Sequence, residues 1–224
     1  MNTPLLMPVR FDAPADDERR QVESWLSTYI SQPHEELGRR GPVCPYVPPA
    51  RRAGLVRLLT ATWQPTPGSE ATQVENVLEA AVDQFAAHPW PPESPHLHCL
   101  VVVLGQLRAE QWPLLDAAHA QAKAGVMERG LMAGQFHPRC PAPAAHNPAF
   151  PVNRAPIPLV VIRRMAAHDH LFAATPDHLD SYRRRFPQQP VPNSEAPRPP
   201  EVPHPGFAGG AGGGPEPHGH GPTR

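Results

Sequence analysis

The stretch from Gly134 to Arg163 concentrates side chains that can bind a ligand or take part in catalysis. Proline follows His137, Cys140 and Asn147. A residue before proline is held in an extended conformation, so these polar groups are expected to be oriented by the backbone. The stretch therefore predicts a functional site, and its polar members are Gln135, His137, Arg139, Cys140, His146, Asn147, Asn153, Arg154 and Arg163.

Two chemistries are considered first for these residues. A zinc site would use His137, Cys140 and His146, in the spacing H-x2-C-x5-H, but structural zinc normally has four protein ligands. Nucleophilic catalysis would use Cys44 or Cys140 with one of the histidines. Neither cysteine lies in a strand-turn-helix elbow, the setting in which nucleophiles of the hydrolase type are found.

Haem binding is the third chemistry. His137 or His146 would supply the axial ligand, and Arg154 and Arg163 would hold the two propionates, because a planar guanidinium matches a carboxylate. Cys44 joins this set because it forms a Cys-Pro dipeptide, a pair associated with haem contact, as Cys140 does. The candidate substrate-binding residues are the side-chain amides Gln135, Asn147 and Asn153. The remaining interpretation is a structural loop whose polar side chains serve turns and caps.

Hydrophobic periodicity predicts the elements that position this stretch. Helices are expected over 16–31, from about 72 to 88, over 109–129 and over 175–186. Strands are expected over 55–63, 97–104, 131–137 and 157–165, with irregular structure over 138–156. The proline-rich segment 38–49 is expected to be a stiff loop. The order predicts an α+β fold, a mixed four-stranded sheet with helices packed on it.

The chain divides into three predicted parts. Residues 1–14 are expected to form an extended N-terminal arm, and residues 15–186 a single α+β domain. Residues 187–224 contain 11 prolines and 8 glycines and are expected to be a disordered tail, because they lack the apolar residues of a packed core.

Composition limits the partners. Lys plus Arg total 20 and Asp plus Glu total 21, so no electrostatic case exists for nucleic acid as a partner. No apolar run approaches the roughly 20 residues that cross a bilayer, so no membrane association is expected. Three cysteines without a CxxC spacing predict reduced thiols and a cytoplasmic location. A small-molecule ligand is the expected partner.

Three motifs carry a resemblance to a known family. They are GPVCPYVP at 41–48, GLMAGQFHP at 130–138, and HNP at 146–148 followed by RAPIPL at 154–159. Over about 16–186 the chain resembles an uncharacterised bacterial family classed as a domain of unknown function, family 6875. Members often occur beside natural-product biosynthesis genes, which implies a role in specialised metabolism.

The layout is also similar to the YqcI/YcgG group, which implies haem-dependent oxygenation of an amino-acid-like substrate. The GQFHP and NRAP segments also resemble another uncharacterised family, which has an F-H-P and an N-R-S-P pattern. Ala155 stands where serine is common after the arginine, so no hydroxyl role is expected there. The first functional hypothesis is therefore a small-molecule enzyme of specialised metabolism, with its site formed by the Cys44 loop and residues 134–163. The alternative is a non-catalytic ligand-binding or accessory protein for a biosynthetic enzyme.

Overall fold

A computed structural model of the chain describes residues 8–64 and 68–189. The predicted tail from residue 190 onward and the first seven residues of the predicted arm lie outside the described residues. The strands are β1 Arg10–Asp12, β2 Val56–Thr62, β3 Cys99–Val103, β4 Leu131–Phe136, β5 Pro143–Ala144, β6 Asn147–Pro151 and β7 Leu159–Arg164. The α-helices are α1 Asp16–Trp25, α2 Val47–Arg52, α3 Glu70–Ala87, α4 Trp112–Glu128 and α5 Pro176–Arg185.

The main sheet has the order β1-β2-β3-β7-β4. β2 and β3 are parallel, whereas β7 runs antiparallel to both β3 and β4. The predicted α+β class and mixed sheet are confirmed, but the sheet has five strands instead of four. The extra strand, β1, pairs antiparallel with β2 and has only three residues, too few to show a period-two pattern in the sequence.

Helices cover both faces of the sheet, which explains the continuous apolar sequence of β3. On one face, α3 and α4 pack on Leu100 and Val102. The predicted apolar stripe of α3 is buried there and consists of Val74, Val77, Leu78, Ala81, Val82 and Phe85. On the other face, Val22 of α1 packs with Val101 and Val103 of β3.

Two predicted loops contain regular structure. α2 begins inside the segment that was expected to be irregular. Its prolines occupy the first helical turn, where the backbone N–H groups have no partner within the helix, so the N–H that proline lacks is not needed. The connection over 138–156 contains the hairpin β5–β6, in which Ala144 faces Asn147. Among the described residues, no helix has both the length and the apolar character needed to cross a membrane.

Candidate functional site

An open cavity of about 520 Å³ lies between the first helix and the connection that precedes β7. Small-molecule pockets usually measure about 300–1,000 Å³, so this volume suits a ligand of modest size. The lining residues that matter below are Trp25, Tyr29, Glu36, Pro138, Phe150 and Arg154. The connection that the sequence singled out therefore forms one wall of the cavity, through Pro138, Phe150 and Arg154.

The opposite wall is built by a π-helical turn, Leu26–Ile30, which continues α1. Its i+5 geometry appears in the hydrogen bond from Ser31 N to Leu26 O, at 3.0 Å. Such turns inside helices are frequent at functional sites. Here the turn carries Tyr29, whose hydroxyl donates to the Val152 carbonyl at 2.9 Å. The helix and the connection are thereby held at a fixed separation.

The cavity lining includes two side chains of opposite charge. Arg154 and Glu36 are exposed, and within the described chain neither the guanidinium nor the carboxylate forms a hydrogen bond or an ion pair. Both charges act on the phenol of Tyr29. Burial raises the pKa of Tyr29, the Arg154 charge opposes that rise, and the Glu36 charge adds to it. The two charges therefore flank one aromatic side chain of the cavity.

A second cluster lies where β4 ends, on the side of α4. His137 Nε2 is 3.2 Å from each carboxylate oxygen of Asp116, and Cys140 Sγ is 3.8 Å from Asp116 Oδ1. His137 and Cys140 are buried, while the Asp116 side chain is 26% exposed. Gln135 is also buried here, and its side-chain amide donates to Asp116 Oδ1 at 3.3 Å.

The predicted zinc residues are brought together only in part. His137 and Cys140 are neighbours, but His146 is exposed on the hairpin turn, where its backbone carbonyl lies beside Gly38. The third member of the cluster is Asp116, which sequence reasoning missed. Its signal was present, because Asp116 follows Trp112 by four positions in α4 and so shares a helix face with that aromatic residue.

Burial raises the pKa of the Cys140 thiol to about 11, and the charge of Asp116 acts in the same direction. A thiol with this pKa is protonated at neutral pH, whereas the thiolate is the nucleophilic form. The cluster therefore gives no support to Cys140 as a nucleophile.

The predicted amide ligands make contacts within the protein. Asn147 donates to the Glu36 carbonyl at 2.8 Å and accepts from the Ala149 N–H at 3.1 Å. Asn153 donates to the Gln135 carbonyl at 3.0 Å. These bonds stabilise the connection. They match the structural interpretation of this stretch, in which polar side chains serve turns and caps instead of binding a ligand.

Neither Arg163 nor Cys44 lines the cavity. Arg163 pairs with Met132 at the start of β4, whereas His137 follows the last residue of β4, about 16 Å away along the strand. The guanidinium of Arg163 forms two bonds with Asp169, of 2.6 and 2.7 Å. Cys44 lies close to Arg163 and Cys99: burial raises the pKa of Cys99 to about 12, and Cys44 adds to that rise.

The Cys44 segment nevertheless contacts the hairpin, because Val43 packs against Leu37 and Phe150. Neither Val43 nor Cys44 lines the cavity. The sequence predicted one site formed by the Cys44 loop and residues 134–163. In the structure, the connection forms one wall of the cavity and contributes Arg154 to it, and the rest of the lining comes from α1, the π-helical turn and Glu36.

Of three comparisons with known proteins, one agrees with the motifs. Searches of the curated proteins and of the solved structures found no match to the chain. A family model described as a domain of unknown function, DUF6875, matches residues 19–196, which is most of the chain. The protein therefore belongs to the DUF6875 family.

Proposed function

We propose that the protein binds a small zwitterionic molecule, an amino acid or a close derivative, in the cavity beside α1. The observation that carries this proposal is the pair of opposite charges in the cavity lining, Arg154 and Glu36, neither of which has a side-chain partner within the described chain. A ligand with one carboxylate and one ammonium group complements both.

The recognition follows from the chemistry of the lining. A guanidinium binds a carboxylate through two parallel hydrogen bonds, so Arg154 orients the acid end of the ligand. Glu36 pairs with the ammonium group. Trp25, Tyr29 and Phe150 supply aromatic surface for an apolar side chain, and edge or face contacts between rings add about 0.5–1.5 kcal/mol beyond the buried area. The ligand class is the one that the resemblance to the haem-dependent group implies.

Haem-dependent oxygenation, the finer hypothesis, has less support. An axial imidazole must face the haem iron. His137 faces Asp116, at 3.2 Å, and His146 lies on the hairpin turn; neither lines the cavity. The geometry favours the ligand-binding hypothesis, for which no haem is needed. A Soret band that appears when haemin is added and is lost in His137→Ala would support the haem hypothesis instead.

The test is a binding titration followed by protein NMR. Three probes are used. Phenylalanine carries both charged groups, 3-phenylpropionate lacks the ammonium group, and phenethylamine lacks the carboxylate. Arg154→Gln is expected to abolish binding of the two carboxylates, whereas Glu36→Gln is expected to weaken only phenylalanine and phenethylamine.

The matched controls are Arg40→Gln and Glu35→Gln, which change exposed residues of like charge that do not line the cavity. They are expected to bind as the wild type does. The proposal fails if none of the probes binds, or if the control variants weaken binding as much as the cavity variants.

A further inference from the structure

The cluster of Asp116, His137 and Cys140 is separate in composition from the cavity lining and has its own chemistry. We propose that these three side chains bind a divalent transition-metal ion, with Zn²⁺ as the best match. A carboxylate, an imidazole and a thiolate are all zinc ligands, and the mixture of one hard and two softer donors suits zinc better than magnesium or calcium. The protonated Cys140 thiol would release its proton when the ion binds.

The distances between the donor atoms resemble the edges of a zinc tetrahedron. Bonds of about 2.0–2.3 Å at tetrahedral angles give an N–O edge of about 3.4 Å and an S–O edge of about 3.6 Å. The observed separations are 3.2 Å from His137 Nε2 to Asp116 Oδ1, and 3.8 Å from Cys140 Sγ to the same oxygen. One ligand atom from each of the three residues lies within 4.8 Å of the others. Binding therefore requires little movement.

Metal binding at Nε2 would change the tautomer of His137. His137 Nδ1 is buried and has no hydrogen-bond partner in the part of the chain that the structure describes. The metal-free imidazole is therefore assigned the tautomer with its proton on Nε2, where Asp116 accepts it. A metal ion at Nε2 would replace that proton, and the neutral imidazole would then carry its proton on Nδ1, where no described residue accepts it.

Outer contacts hold two of the three ligands in position. The Gln135 amide donates to Asp116, and the Trp112 ring stacks at a tilt over His137, with centroids 5.3 Å apart. Arg139 lies over the outer face of Trp112, at 4.9 Å. Such supporting contacts are typical of metal sites, where they orient the ligands.

The site would leave one coordination position open. Three protein ligands and one free position are the arrangement of catalytic zinc sites, whereas structural sites normally use four protein ligands. The Asp116 side chain is 26% exposed, so the cluster is in contact with solvent.

The test uses the full-length protein, stripped with a chelator and then loaded with Zn²⁺ or Co²⁺. Cobalt reports the ligands by absorption, since a thiolate gives a charge-transfer band and a tetrahedral site gives intense d–d bands. We expect one ion per chain. We expect Cys140→Ser to lose the charge-transfer band, and Asp116→Asn and His137→Gln to weaken Zn²⁺ binding by at least about tenfold.

Two controls separate this site from other metal binding. Cys44→Ser removes the half-buried cysteine outside the cluster, and a His218→Ala/His220→Ala double variant removes two histidines of the C-terminal segment. Both are expected to retain the cobalt spectrum.

The partly exposed Asp116→Asn is the variant least disturbing to the fold, and its circular dichroism should match that of the wild type. The proposal is overturned if no ion binds, if Cys140→Ser leaves the spectrum unchanged, or if binding disappears with the histidines of the C-terminal segment.

Discussion

The indole Nε1 of Trp25 donates a hydrogen bond to the carbonyl oxygen of Arg154 at 2.8 Å, across 129 positions of sequence. The same indole ring meets Phe136 edge-on, with centroids 5.2 Å apart. Trp25 thereby joins the end of α1 to the end of β4 and to the residue that carries the proposed carboxylate-binding guanidinium. The Arg154 carbonyl is thereby held by a donor from another element.

Replacing Trp25 with phenylalanine tests that dependence. The ring is kept, but the part-buried hydrogen bond to the Arg154 carbonyl is lost, and a bond of this kind usually contributes about 0.5–1.5 kcal/mol. Urea denaturation should show this fall in the free energy of unfolding. Trp112→Phe is the matched control, because Trp112 Nε1 is buried without a hydrogen-bond partner among the described residues. Equal losses in the two variants would contradict the assigned function of the hydrogen bond.

The sequence predicted the buried elements well, because their patterns come from burial. The stripe of α3 and the apolar run of β3 each identify a face that must be covered. Prediction from the sequence failed where the usual meaning of a residue type depends on its place in a helix. The prolines of α2 indicate a loop unless their place in the first helical turn is known, and that place is set by the packing of Val47 and Ala50.

The candidate site was predicted as far as residues close in sequence remain close in space. His137 and Cys140 do, because both belong to one turn that follows β4. Arg163 does not, because β7 carries it along the sheet by about 3.3 Å per residue, away from Arg154. Asp116 and Glu36 come from other elements, and no local pattern connects them to the connection before β7.

The ion pair of Arg163 and Asp169 should be important for stability. The Asp169 side chain is 2% exposed and also accepts the Ala166 N–H at 2.7 Å. Asp169→Asn keeps the shape but leaves the guanidinium without its counter-charge, a change that costs about 3–5 kcal/mol when the pair is buried. Chemical denaturation measures the loss.

Asp180→Asn is the comparison, since Asp180 pairs with Arg183 at the surface, where both side chains are 58% exposed. Asp180→Asn should lower the free energy of unfolding by less than about 1 kcal/mol. A small effect of Asp169→Asn would mean that the Arg163 guanidinium reaches solvent, and would make it available again as a ligand group.

Stability should fall at acidic pH, in part through His119. Burial lowers the pKa of His119 from its usual 6.5 and outweighs the opposing contact of Nε2 with the Ala133 carbonyl at 3.0 Å. The unfolded chain then binds the proton more readily. The contribution of the neutral His119 to the free energy of unfolding is fully present above about pH 6.5. It is lost as the pH falls from that value to the lower pKa of His119 in the folded protein.

The measurement is the free energy of unfolding from about pH 8 to about pH 5, a range that spans the ordinary histidine pKa. His119→Gln keeps a donor for Ala133 and cannot titrate, so its stability should depend less on pH. His146→Gln removes an exposed imidazole and should follow the wild type. An unchanged slope in His119→Gln would show that other groups cause the acid sensitivity.

The contact of Gly38 with His146 should be required for the hairpin to reach the cavity. Gly38 has a φ of +71°, and a Cβ atom there would lie 2.6 Å from the His146 carbonyl oxygen. Gly54 has a similar φ of +67°, with nothing within 4 Å of the added atom. Both alanine variants meet the backbone strain of about 1–2 kcal/mol, but only Gly38→Ala must also displace the hairpin.

We therefore expect Gly38→Ala to lose more stability than Gly54→Ala, by at least about 1 kcal/mol, in urea denaturation. Because β6 carries Phe150 into the cavity wall, Gly38→Ala should also weaken phenylalanine binding, which Gly54→Ala should leave unchanged. If both variants lose the same stability and bind alike, the hairpin can shift without cost, and the cavity wall is not fixed by this contact.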